Sequence, residues 1–122
     1  MENEPNYPLP RKHPRFKALQ RTLVLLPQGP EALPYHIIDI SEGGLSFRYL
    51  GKKLKPTRIS PINLYHEHEL IVEALPVKKV SDYQLSEGIV PVRRGSLCFE
   101  SLSMEQRNKL SSFVEKFTEH SY

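Results

Sequence analysis

The stretch Tyr35-His-Ile-Ile-Asp-Ile-Ser-Glu-Gly-Gly-Leu-Ser-Phe-Arg-Tyr49 decides how this chain folds. From Tyr35 to Ile40 it is apolar and β-branched, Glu42-Gly-Gly44 has the composition of a tight turn, and Leu45 to Tyr49 alternates apolar with polar. A β-hairpin is expected. Along such a strand Asp39 and Ser41 share one side, while Ile38 and Ile40 point the other way, toward a core. Gly43 and Gly44 are expected to turn the backbone through positive φ and to let a ligand approach main-chain amides.

Other short strands flank the hairpin. Phe16 to Leu26, stopped by Pro27-Gln-Gly-Pro30, reads as the first of them, and Ile59–Tyr65, Glu69–Pro76, Val77–Leu85 and Val92–Phe99 follow the hairpin. Strands at this spacing, separated by Pro, Gly, Ser or charged turns, predict a small barrel. The C-terminal segment differs. Ser103 and Gln106 make a capping box, Glu105 suits the positive first turn, and Leu110, Phe113, Val114 and Phe117 fall at i, i+3, i+4 and i+7. A helix packed on the barrel by that stripe is expected.

The 122 residues, 39% hydrophobic and 25% charged, suffice for one domain with one modest core. Residues 1–10, with three prolines, read as a flexible arm and residues 11–120 as the domain. The net charge of +3 is unevenly placed: Arg11, Lys12, Arg15, Lys17 and Arg21 fall within eleven residues that contain no acid, leaving 12 Lys and Arg against 14 Asp and Glu elsewhere. That asymmetry favours a local anion site over a broad nucleic-acid surface, and no nucleic acid is expected as a partner. The acidic, proline-rich start and the lack of a long apolar run predict neither a signal peptide nor membrane insertion, and a cytoplasmic location. Cys98, in the apolar run Leu97-Cys98-Phe99, is expected as a small core hydrophobe.

The candidate chemistry lies in two motifs. Arg11 and Arg15 stand four residues apart, and a guanidinium fork suits both phosphate oxygens and the O6/N7 edge of guanine. In the hairpin, Asp39 can accept from guanine N1–H and N2–H₂, and Ser41 can bond a phosphate or base oxygen. Read alone, the second motif is equally a plain hairpin turn whose Asp and Ser hydrogen-bond the loop. Arg93 or Arg94 could stack on a guanine face. His66-Glu-His68 lacks further ligands at metal-site spacing and reads as a polar loop, and no metal is expected. Without a nucleophile elbow, P-loop or dinucleotide fingerprint, no enzyme activity and no cofactor are expected.

Taken together, Arg-x-x-x-Arg followed by Asp-x-Ser-x-x-Gly in a strand-turn-strand resembles the PilZ domain family of cyclic di-GMP receptors. The resemblance runs from about Arg11 to Phe117, including Arg94-Gly-Ser-Leu-Cys-Phe99 and the capped helix. It implies a mainly β fold, a small six-stranded antiparallel barrel with a C-terminal α-helix. It also implies a cyclic di-GMP site made of Arg11, Arg15, Asp39, Ser41 and Gly44, with Lys12, Gly43 and Arg94 as secondary contacts. The arginine arm would wrap over the ligand, and the change would be passed to an unidentified protein effector in motility, adhesion or exopolysaccharide control. With Pro10 before the first arginine, the resemblance leaves open whether one or two ligand molecules bind; the oligomeric state is also open. Two other readings remain: a PilZ-like interaction adaptor that binds no nucleotide, and a small barrel for single-stranded nucleic acid.

Overall fold

The structure is a computed structural model, and it describes residues 14–26, 34–54 and 59–119. Eight antiparallel strands and one helix follow in order: β1 Phe16–Lys17, β2 Thr22–Leu25, β3 Pro34–Ile40, β4 Gly44–Leu50, β5 Ile62–His66, β6 Glu69–Leu75, β7 Val77–Ser86, β8 Val92–Phe99 and α1 Met104–Lys116. The strands form one sheet in the order β6-β5-β2-β3-β4-β8-β7, with β1 also paired to β3. Its two end strands, β6 and β7, are separated in sequence by Pro76 alone. The ends of the sheet therefore meet at that residue, which makes it curl like a barrel while staying open along the β6/β7 seam.

The mainly β fold closed by a C-terminal helix is as expected; eight strands stand where the resemblance implies six and the segment reading gives seven, and the eighth has a local cause. The segment expected as one strand, Phe16 to Leu26, is two. Arg21 adopts φ 63°, and a turn there separates β1, which pairs with Asp39 and Ile40, from β2, which pairs with Pro34 to His36. No glycine, proline or asparagine marks that turn in the sequence.

Side chains from the concave face fill the interior. Val24, Leu26, Ile40, Leu45, Phe47, Ile62, Leu64, Val72, Leu75 and Leu97 are essentially sealed from solvent. Each such burial is worth about 1.5–3 kcal/mol against the cost of ordering the chain. Tyr35, Phe47 and Tyr49 cluster with ring centroids 5.6–5.7 Å apart. Gly95 is required beside them, since a Cβ there would lie 2.7 Å from the Phe47 ring.

The helix forms as its sequence dictates. Ser103 Oγ accepts from the Gln106 amide at 3.1 Å, and Gln106 Oε1 accepts from the Ser103 amide at 2.9 Å. Leu110, Phe113 and Val114 are buried against the sheet, Phe117 packs at the margin, and Gln106 Nε2 donates to the Ala74 carbonyl of β6. After the helix the chain returns beside β1. The Leu19 amide donates to the Phe117 carbonyl, the Glu119 amide donates to the Lys17 carbonyl, and Ala18 and Thr118 form an isolated bridge.

Two expectations about which way residues face are corrected. A β-bulge between Ile37 and Asp39 inserts one residue opposite β4, so the core receives Ile37 and Ile40 in place of Ile38 and Ile40. Cys98 is half-buried and lies opposite Gly44, while Leu97, opposite Leu45, takes the core position. In an apolar triplet, alternation lets only one phase face inward.

Candidate functional site

On the convex face of β3, β4 and β8, the register brings polar residues into one row. Asp39 lies opposite Ser46, Ser46 opposite Ser96, and Arg48 opposite Arg94. The bulge at Ile38 keeps Asp39 on this face, where its carboxylate joins residues from three distant parts of the chain. Arg15 Nη1 donates to Asp39 Oδ1 at 3.1 Å, Ser46 Oγ donates to the same oxygen at 2.8 Å, and Arg94 Nη2 donates to Oδ2 at 2.8 Å. Arg94 Nη2 also donates to Ser46 Oγ at 2.9 Å. The side chains of Arg15, Asp39 and Arg94 are 16%, 19% and 26% exposed, so the cluster is shielded enough for its charges to matter yet open to a ligand. Two guanidiniums on one carboxylate leave a local charge of +1, and each binds it through a single Nη, so that each has further N–H donors.

Arg15 is held there by backbone. The strand that follows it, β1, pairs Phe16 with Ile40 and Lys17 with Asp39, and the Ala18 amide donates to the Ile38 carbonyl. Arg15 is thereby fixed one residue from the strand that sits beside Asp39.

Ser41 and Gly44 serve the turn. Ser41 is buried, its hydroxyl accepts from the Gly43 and Gly44 amides at 3.0 and 3.2 Å, and its own amide donates to the Gly44 carbonyl at 2.8 Å. This hydroxyl-centred turn fixes where β4 starts and hence the Asp39–Ser46 register. The expected positive φ at the turn glycines is not found: among the described residues, glycine adopts positive φ at Gly51. Gly44 is needed for another reason, since a Cβ there would fall 2.3 Å from the Leu97 carbonyl oxygen of β8. The Gly43 carbonyl accepts from the Phe99 amide, which further ties the turn to β8.

Arg11 and Lys12 lie outside the described residues. Of the other positions expected at the site, Arg15, Asp39 and Arg94 meet, whereas Ser41, Gly43 and Gly44 shape the turn beside them. Arg94, considered as a stacking residue, lies against Asp39 and Ser46. Arg93, one residue away, faces the other side and donates through Nε to Asp82 at 2.9 Å. Ser46 was not anticipated, although alternation in Leu45 to Tyr49 places it on the same face as Arg48.

A second polar cluster is structural. The Asp82 side chain is 1% exposed and receives Arg93, the Tyr49 hydroxyl, the Leu54 amide at 3.3 Å and Lys79 at 3.5 Å. Burial pushes its carboxyl up, but the hydrogen bonds from Tyr49, Arg93 and Leu54 and the Lys79 charge outweigh this and hold it below the ordinary carboxylate value. Burial, followed by the bond to Asp82, pushes the Tyr49 phenol up to about 12.

His66-Glu-His68 forms the β5–β6 turn, with Glu67 and His68 at positive φ. His66 Nδ1 lies 3.1 Å from Thr22 Oγ1, and its ring stacks on Phe117 at 4.4 Å. Among the described residues no group of three or more His, Cys, Asp or Glu is placed to hold a metal, and no helix is long and apolar enough to cross a membrane.

The structure is similar to several solved proteins. It matches YcgR from Escherichia coli in complex with c-di-GMP with a TM-score of 0.65 at 16% identity, over 87% of this chain and 45% of that one. It matches the PilZ domain of YcgR from Escherichia coli with c-di-GMP at a TM-score of 0.62 and 17% identity, over 89% and 92%. It matches MrkH, described as a c-di-GMP-dependent transcription regulatory factor, at 0.62 and 13% identity, over 86% and 49%. The chain thus spans about half the length of YcgR and MrkH and nearly all of the YcgR PilZ domain. No curated protein sequence matches it. The PilZ domain family model matches residues 10–116, which include both arginine and aspartate motifs, the whole sheet and the helix, and the chain belongs to the PilZ domain family.

Proposed function

We propose that this protein is a non-enzymatic cytoplasmic receptor for cyclic di-GMP. The observation that carries the reading is the Asp39 carboxylate held between Arg15 and Arg94 on the outer sheet face. It offers an acceptor for the N1–H and N2–H₂ donors of guanine, beside two forks suited to phosphate or to the guanine O6/N7 edge. The similarity to PilZ structures described with c-di-GMP supports the same ligand.

The ligand replaces ion pairs with ion pairs. When a phosphate takes Arg15, Asp39 is released toward the guanine edge, so the desolvation of each group is compensated. Arg11 and Lys12, four and three residues before Arg15, add charge from the arm that closes over the ligand. The closed arm presents a new surface to a protein effector, in motility, adhesion or exopolysaccharide control.

The test is calorimetric titration with cyclic di-GMP, with GTP as control and Arg15→Ala in parallel. Loss of charge-assisted bonds worth about 1.5–3 kcal/mol each should weaken Arg15→Ala by about ten- to a hundredfold. No heat from folded wild-type protein with cyclic di-GMP would overturn the receptor reading.

A further inference from the structure

A second cationic feature lies on the same outer face, across β3 from the hairpin turn. β1 pairs with β3 at Asp39 and Ile40, and β2 pairs with it at Pro34 to His36. The turn between them, together with the bulge after Ile37, leaves a hollow of about 430 Å³. Among the described residues its rim carries Lys17, Arg21, His36 and Arg48, with Glu119 as the one acid. We propose that this hollow is an anion-binding site that takes a phosphate group. The inference does not rest on the cyclic di-GMP reading.

Three observations support it. The first is unmet charge. Glu119 lies 3.7 Å from Lys17 Nζ, but among the described residues no hydrogen bond or ion pair engages the side chains of Arg21, His36 or Arg48. By contrast Arg15, Arg94, Arg93 and Lys79 all rest on an aspartate. The second is cross-strand placement: Arg48 lies opposite both Arg94 and His36, a row of cationic and titratable groups in which like charges oppose each other. Asp39 relieves Arg94, and among the described residues no acid relieves Arg48, which is exposed. An anion bound in the hollow would do so.

The third is backbone strain. Arg21 adopts φ 63°, a conformation that non-glycine residues seldom occupy, and the Glu67 amide fixes it by donating to the Arg21 carbonyl at 3.0 Å. A left-handed arginine and a β-bulge facing one hollow are features that tend to occur at binding sites. Guanidinium forks favour phosphate through paired hydrogen bonds. The volume is large enough for a phosphate that carries a sugar.

The experiment follows backbone amide shifts of the ¹⁵N-labelled full chain during separate titrations with pyrophosphate and with cyclic di-GMP at constant ionic strength. Saturable pyrophosphate shifts at Leu19, Arg21, His36 and Arg48 are expected, with affinity about tenfold weaker in Arg21→Gln and in Arg48→Gln. Hollow shifts with cyclic di-GMP would make a phosphate of that nucleotide the occupant. Hollow shifts with pyrophosphate but with no response anywhere to cyclic di-GMP would support the anion site while overturning the receptor reading. Absence of saturable hollow shifts with either probe, or equal affinity in both glutamine variants, would overturn the proposal.

Discussion

Replacing Asp39 with alanine separates the two roles proposed for this site, attraction of phosphate and recognition of guanine. In the free protein the carboxylate holds Arg15 at 3.1 Å and Arg94 at 2.8 Å. These partly exposed ion pairs are worth about 0.2–1 kcal/mol each, and a phosphate ligand must break them. Their loss therefore favours any cyclic dinucleotide. The loss of the acceptor for guanine N1–H and N2–H₂ acts in the opposite direction, by about 1.5–3 kcal/mol for a charged hydrogen-bond partner. Adenine has no such donor pair, so cyclic di-AMP experiences only the first effect. The first effect cancels in the ratio of the two affinities, and the preference for cyclic di-GMP should fall by about 10- to 150-fold. Competition binding of both dinucleotides at one salt concentration measures that ratio. An unchanged ratio in a folded Asp39→Ala protein would refute the assignment of guanine recognition to this carboxylate.

Other outcomes follow from the packing. Asp82→Ala leaves Arg93, Lys79 and the Tyr49 hydroxyl without their buried acceptor and should cost about 3–5 kcal/mol, seen as a large drop in the urea midpoint. Because the Asp82 carboxyl is held below its ordinary value, its stabilisation is present above the usual carboxylate range and is lost as the pH falls through the lowered value. Tyr49 behaves in the opposite sense: its contribution is complete below pH 10 and disappears as the pH rises toward 12, so thermal melts of Tyr49→Phe should lack that alkaline decline. Gly44→Ala drives a Cβ to 2.3 Å from the Leu97 oxygen and should cost about 1–3 kcal/mol by denaturant melt. Gly88→Ala, where the nearest atom lies 3.8 Å away, should be close to neutral.

The parts of this fold legible in the sequence are those set by neighbours along the chain. The hairpin follows from its alternation and turn residues, and the helix from Ser103, Gln106 and a four-residue apolar stripe. Arg15 and Asp39 were recognisable as a pair only because two motifs occurred together, since 24 residues separate them. What was not legible depends on long-range pairing. The bulge at Ile38 changes which isoleucines are buried, and a period-two pattern cannot anticipate an inserted residue. The break at Arg21 has no turn residue to announce it. Arg93 and Arg94 look interchangeable until the β8 register sends one to Asp82 and the other to Asp39. The motif marks Ser41 as a candidate ligand contact, but not the turn contacts of its hydroxyl, which accepts from the Gly43 and Gly44 amides.

The pairing of residues 17–19 with residues 117–119 brings the way into this unit and the way out of it side by side. The two strand ends are about one strand spacing, ~4.8 Å, apart, so a host protein could carry the unit as an insertion in a surface loop with little change to its own backbone. A circular permutant that joins these ends and opens the chain at the Glu67-His68 turn should retain the sheet. On the proposed receptor reading, the same geometry links the arginine arm to a sequence fused after Glu119. The backbone just after Arg15 is hydrogen-bonded to the backbone just after α1, through Leu19 to Phe117 and Glu119 to Lys17.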